Sequence, residues 1–204
     1  SVIKIAGNNI KSAQKVSDEE RVMYGRILDQ EADKLNNLMN KLLSYAQIEN
    51  KSIPYKGDWI NLHDFCEEIF KACRIKYSDI SLTYNIDVTD ELHTDPILLA
   101  SVFHNLVDNA YKYSEAGHRF IHVEVEQTKK NFVIIFSDRG IGIAKSELKN
   151  IFKKFYRIQN QYNQGGSIGL GLAFCKEITE FMGGEIRVES VLGKGTTFTL
   201  TFPK

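Results

Sequence analysis

The sequence has no run of about 18 apolar residues, so nothing in it reads as a helix that crosses a membrane, and its opening residues do not read as a signal peptide. Neither charge sign is in excess: 26 Lys and Arg stand against 26 Asp and Glu. A nucleic-acid binder that depends on phosphate contacts is ordinarily clearly basic, so that class is disfavoured. Cysteine is scarce. Cys66, Cys73 and Cys175 are odd in number and lack paired metal-ligand spacing, which reads as buried structural thiols in a reducing, cytoplasmic compartment. What remains is 204 residues, 43% hydrophobic and 25% charged, enough to build one good core with an appendage.

Two regions differ in periodicity. From Ser17 to Glu49 apolar residues recur at helical steps, and Leu28, Leu35 and Leu42 stand seven apart, a seam that wants a partner helix. Ser17 and Glu20 form a capping box at its start. Upstream, Val2, Ile3, Ile5, Ala6 and Ile10 read as the end of another helix, with a connection near Lys15. The expectation is an antiparallel helical hairpin over residues 1–50. It pairs with a second copy, or else packs on its own globular part.

Near Pro54 the helical pattern stops. Beyond it, helices are predicted at Leu62–Tyr77, Pro96–Tyr113 and Leu170–Met182. Strands are predicted at Ser81–Asp87, Phe120–Glu126, Phe132–Ser137, Glu185–Glu189 and Thr197–Phe202. Interleaved helices and hairpin-connected strands point to an α+β fold, a two-layer α/β sandwich with a mixed sheet over residues 51–204.

Four clusters in this second region could carry chemistry. On a helix, Asn105 and Asn109 lie four apart on one face, where their amide oxygens suit a hard cation such as Mg²⁺; Lys112 follows as a point charge for phosphate. A polar helix face would look the same. Asp138, Gly140 and Gly142 follow the apolar strand, so that a ligand ring could approach the backbone and be read by the carboxylate. A tight turn is the plainer alternative. Gly165, Gly166, Gly169 and Gly171 precede a helix, where exposed amides and the positive dipole end attract phosphate. A glycine-rich turn or a dinucleotide fingerprint is the alternative, although no βαβ unit surrounds the run. Gly193, Gly195 and Thr196 read as a hairpin turn with a hydroxyl beside it.

In this order and spacing the clusters resemble the asparagine box, the two glycine boxes and the closing glycine-threonine motif of the GHKL ATPase superfamily. Ile151, Phe152, Phe155, Tyr156 and Arg157 resemble the phenylalanine box of two-component sensor histidine kinases, and Ala32–Leu43 with Gln47–Glu49 resembles their second dimerisation helix. The resemblance implies a Bergerat-type ATP-binding fold. It implies that Asn109 coordinates Mg²⁺, with Asn105 in the same shell, and that Asp138 accepts the adenine amino group. Gly140 and Gly142 would admit the base, Thr196 would support it and Tyr113 would flank it. Lys112 would face the phosphates, Gly169 and Gly171 would cradle them, and Arg157 would reach the terminal one from a lid at residues 153–168.

Two departures from the family pattern lie inside the motifs. Ser167 stands where the second glycine box usually has its first glycine, and Lys153 and Lys154 replace a common acidic residue. The third departure is the acceptor histidine: none of His63, His93, His104, His118 and His122 has its motif context, so it is expected upstream of Ser1. The resulting expectation is phosphotransfer from Mg-ATP to a histidine on a dimerisation hairpin, with a response regulator receiver domain as partner. The protein would be the cytoplasmic part of a membrane-anchored sensor. One rival is a degenerate nucleotide-sensing module that signals without transfer. A gyrase- or chaperone-type ATPase would need a glutamate where Asn105 stands.

Overall fold

The computed structural model describes residues 5, 7–10, 17–50, 54–158 and 169–204. Gly165, Gly166, Ser167 and the rest of the expected lid from residue 159 on lie outside the described residues, as do Val2, Ile3, Ala6 and Lys15. The chain forms two compact units, residues 1–53 and 54–204.

In the first unit helix α1 runs Asp18–Glu49. Its capping box is formed: the Ser17 amide donates to Glu20 Oε2 (3.0 Å) and the Glu20 amide donates to Ser17 Oγ (3.2 Å). Residues 7–10 are helical, and Asn9 Nδ2 donates to Tyr24 Oη (3.2 Å), which ties this segment to α1. Leu35 and Leu42 of the heptad seam are exposed, together with Val22, Met23, Met39 and Leu43.

The second unit opens with β1 (Asp58–Ile60), α2 (Leu62–Lys76), β2 (Ser81–Asp87), β3 (Leu92–Thr94) and α3 (Pro96–Lys112). It continues with β4 (Phe120–Gln127), β5 (Asn131–Asp138), α4 (Gly171–Phe181), β6 (Glu185–Val191) and β7 (Gly195–Pro203). The main sheet has order β2-β4-β5-β7-β6, with β2 and β4 parallel and every other pair antiparallel. It is a mixed sheet, as expected. Alternation puts Ile121, Val123 and Val125 of β4, Phe132, Ile134 and Phe136 of β5, and Phe198, Leu200 and Phe202 of β7 on the buried face. Helices α2, α3 and α4 cover that face. Phe103 at its centre is fully buried and meets Phe65, Phe70 and Phe136 at ring centroid distances of 5.3, 6.2 and 4.7 Å.

The starts of α2 and α3 are set by side-chain caps. Asn61 Oδ1 accepts from the amides of His63 and Asp64 at the head of α2. Asp95 does the same for Ile97 and Leu98 at the head of α3, and its second oxygen accepts from the Lys56 amide at 2.8 Å. The pair β1–β3, antiparallel with Trp59 opposite His93, was not anticipated from the sequence.

The three cysteines are free and buried, and burial pushes the Cys66 thiol up to about 12, which keeps it protonated and inert. His104 packs between α2 and α3, its Nδ1 3.9 Å from Cys73 Sγ, and burial lowers its pKa. No helix among the described residues is long and apolar enough to cross a membrane.

Candidate functional site

The four clusters, up to 91 residues apart between Asn105 and Thr196, join through direct contacts at one end of the sheet. The asparagines lie on α3. Asn105 is buried, and its Nδ2 donates to Ser101 O (2.9 Å), which turns Oδ1 toward the first residue of α4: a Cβ added to Gly171 would stand 3.3 Å from that oxygen. Asn109 is half-buried one turn further on, and its carbonyl accepts from the Tyr113 amide where α3 ends. The Lys112 ammonium sits 5.3 Å from the Tyr113 ring centroid.

Strand β5 ends at Asp138. Gly140 follows so closely on the end of α3 that a Cβ there would lie 2.6 Å from Tyr113 O, and the Ile141 amide donates to that same carbonyl (3.0 Å). Asp138 Oδ1 accepts two amides, from Gly140 (2.8 Å) and Thr196 (3.1 Å). Among the described residues no hydrogen bond is recorded to its second oxygen. Burial raises the Asp138 pKa, while the Gly140 and Thr196 amides pull it back down.

The β6–β7 hairpin closes the other side. Gly142 has φ +66°, and a Cβ on it would fall 2.1 Å from Val191 O. Gly195 has φ +118°, and its Cβ would fall 2.0 Å from Asp138 O. Only glycine fits either place. The Gly193 amide donates to Ile141 O (2.7 Å), so the hairpin tip is sewn to the first glycine box.

The second glycine box reaches the described residues at Gly169, φ +78°, whose Cβ would lie 2.6 Å from Tyr156 O. Its carbonyl accepts from the Phe155 amide (3.0 Å), which brings the ends of segment 155–169 together. Phe155 is itself in the left-handed region, φ +61°, with its ring largely exposed. Arg157 is exposed beside Gly169. At the head of α4, Leu170 supplies no side-chain cap, a local environment that suits an anion.

Sequence reasoning did not single out Ser190 of β6. Its hydroxyl accepts from the Ile143 amide (2.8 Å), donates to Gly195 O (2.7 Å) and lies 2.9 Å from Thr196 Oγ1. A lone serine in a strand carries no sequence signal for such a junction.

The arrangement suits Mg²⁺ as a partner of a phosphate ligand. An amide oxygen fixed at the edge of an uncapped helix start is a hard donor of the right kind. Among the described residues no group of three or more His, Cys, Asp or Glu could cage a metal by itself. A site of this type holds the ion through one or two protein oxygens, with phosphates and waters completing the shell.

Comparison with known proteins agrees with this geometry. Residues 94–204 match the family described as histidine kinase-, DNA gyrase B- and HSP90-like ATPase. The sensor histidine kinase WalK of Bacillus subtilis is 32% identical over 183 residues, covering 87% of this chain, which spans 30% of WalK's own length. The histidine kinase AdeS of Acinetobacter baumannii superposes over 99% of this chain and 93% of its own, with TM-score 0.79 at 22% identity. Histidine kinase ThkA, in a crystal structure with response regulator protein TrrA, covers 100% of this chain and 58% of its own, with TM-score 0.75 at 22% identity. The last two likenesses are likenesses of fold. The chain therefore belongs to the histidine kinase-, DNA gyrase B- and HSP90-like ATPase family, and its ATP-binding domain is of the sensor histidine kinase kind.

Proposed function

We propose that residues 54–204 bind Mg-ATP and deliver its γ-phosphoryl group to a histidine presented by a hairpin like that of residues 1–53. The observation that supports this reading most is the convergence of Asn105, Asp138, Gly171 and Thr196, each tied by contact or hydrogen bond to a second motif. In this reading Asp138 accepts the adenine amino group, Gly140 and Gly142 let the base approach, Tyr113 flanks it and Thr196 supports it. Gly169, Gly171 and the first amides of α4 hold phosphate, with Lys112 and Arg157 as cationic partners.

Asn109 and Asn105 would hold Mg²⁺, whose charge would neutralise phosphate oxygens during transfer. A neutral imidazole nitrogen attacks the γ-phosphorus. The bond to the β–γ bridging oxygen breaks, its electron pair leaves with ADP, and the phosphorylated ring gives up a proton. Catalysis is then positioning and charge neutralisation.

The exposed seam of α1 supports a homodimer through the hairpin, with a response regulator receiver domain as the next acceptor. The chain spans less than a third of WalK, which supports a place within a longer sensor kinase; in this reading it would be the cytoplasmic part of a membrane-anchored one. Titration calorimetry of the protein with ATP, with and without Mg²⁺, tests the reading. Saturable, metal-enhanced binding is expected, and no heat of binding at millimolar ATP would overturn it.

A further inference from the structure

We infer that Ser190 is a positioning residue that makes the Thr196 hydroxyl an acceptor toward ligand, and so helps select a base bearing an amino group over one bearing a carbonyl. The inference rests on the nucleotide-site reading above and deepens it.

A serine hydroxyl has one proton and two lone pairs. At Ser190 all three are used. Its proton goes to Gly195 O at 2.7 Å, and one lone pair accepts the Ile143 amide at 2.8 Å. The remaining contact, Thr196 Oγ1 at 2.9 Å, has to be made by the Thr196 proton, because Ser190 has none left to give. Thr196 thereby spends its only proton inward, on a half-buried neighbour, and keeps only lone pairs for a ligand.

Its own amide meanwhile holds Asp138 Oδ1. Two acceptors on adjoining strands, one carboxylate and one proton-depleted hydroxyl, require donors from whatever lies between them, directly or through a water. The C6 amino group of adenine supplies donors, whereas the C6 carbonyl of hypoxanthine or guanine supplies another acceptor. Ser190 also joins three pieces of the site, the first glycine box at Ile143, the hairpin at Gly195 and the threonine. That structural task alone would affect all nucleotides equally, and this separates the two roles.

The probes are ADP and inosine diphosphate with Mg²⁺, titrated by calorimetry into the 204-residue protein and its variants. Ser190→Ala frees the Thr196 proton to turn outward. The preference for ADP over inosine diphosphate should then narrow by roughly three- to tenfold, the equivalent of one neutral hydrogen bond. Thr196→Val leaves the Ser190 bonds to Ile143 and Gly195 in place and should narrow the preference similarly, which keeps the inference testable should Ser190→Ala fold poorly. In the Thr196→Val background Ser190→Ala should narrow it no further. Equal weakening of both ligands in Ser190→Ala, or an unchanged preference in Thr196→Val, overturns the inference while leaving the nucleotide site standing. A wild-type protein that binds neither ligand removes the nucleotide reading and this inference with it.

Discussion

The backbone amide of Thr196 donates to Asp138 Oδ1 at 3.1 Å, so β7 holds one oxygen of the carboxylate while no described residue bonds the other. In the proposed site that second oxygen receives the adenine amino group. Asp138→Asn can keep its single oxygen for the two amides only by presenting an NH₂ group to the base. Nucleotide affinity should fall by about 1–3 kcal/mol, the scale of a lost charge-assisted hydrogen bond. Calorimetry that finds wild-type affinity in this variant would remove Asp138 from the site.

The raised pKa of Asp138 gives a pH signature. Burial makes the folded state hold this proton more tightly than the unfolded chain, so the group's contribution to stability is full below the ordinary carboxylate pKa. That contribution is lost as pH rises through the lifted folded value. Ligand binding runs the other way, because the amino group needs the ionised carboxylate. Affinity for ADP should therefore fall, on acidification, at a higher pH than an unperturbed aspartate would give. Asp138→Asn should lack that limb, and superimposable pH profiles for the two proteins would contradict the assignment.

Asn109 is proposed as the metal ligand on α3, where its oxygen would contribute only when Mg²⁺ is bound. Asn109→Ala should reduce ATP affinity by roughly tenfold or more in Mg²⁺ and far less in EDTA, since even groups that only orient a metal's ligands are worth that much. An equal loss under both conditions would assign Asn109 a packing role instead.

Gly195 and Gly193 share a hairpin and differ in what surrounds them. Both have positive φ, yet a Cβ at Gly195 would lie 2.0 Å from Asp138 O, whereas nothing stands within 4 Å of one at Gly193. Gly193→Ala should cost about 1–2 kcal/mol, the strain of the left-handed conformation. Gly195→Ala should cost more than about 4 kcal/mol or prevent folding, since β7 must leave Asp138. Denaturant unfolding of the two variants measures the difference, and equal midpoints would refute the contact.

Transfer in trans distinguishes a kinase from a nucleotide-sensing module. Alone with γ-labelled ATP, this chain should acquire no acid-labile, base-stable phosphate, since none of its five histidines has the acceptor context. Mixed at high concentration with a form extended upstream to carry an acceptor histidine in its hairpin, and bearing Asn109→Ala, it should label that partner slowly. Severing the linkage forfeits an effective concentration of roughly millimolar order. No label there, while the intact longer wild type labels itself, would mean that transfer requires an intact dimer. No label from the wild type either would favour the sensing module.

Much of the second unit was legible because its long elements are periodic. Helices α2, α3 and α4 and the five strands of the main sheet fall within two residues of where alternation and cap signals put them. The pair β1–β3 was not legible. Three residues are too few to show alternation, and each strand exists only because the other, more than 30 residues away, supplies its hydrogen bonds.

The sequence by itself determined which residues could form a site. Asparagines four apart on a helix, a carboxylate at a strand end and glycines two and four positions after it are local facts of residue chemistry and spacing. Tertiary structure decided how they work together. The order β2-β4-β5-β7-β6 sets β5 beside β7, which brings the Thr196 amide to Asp138. The packing of α4 next to α3 brings Gly171 to Asn105. The direction of the Thr196 proton depends on Ser190, Ile143 and Gly195 together. A hydrogen bond's polarity is settled by every partner a hydroxyl meets, and those partners become neighbours only when the chain has folded.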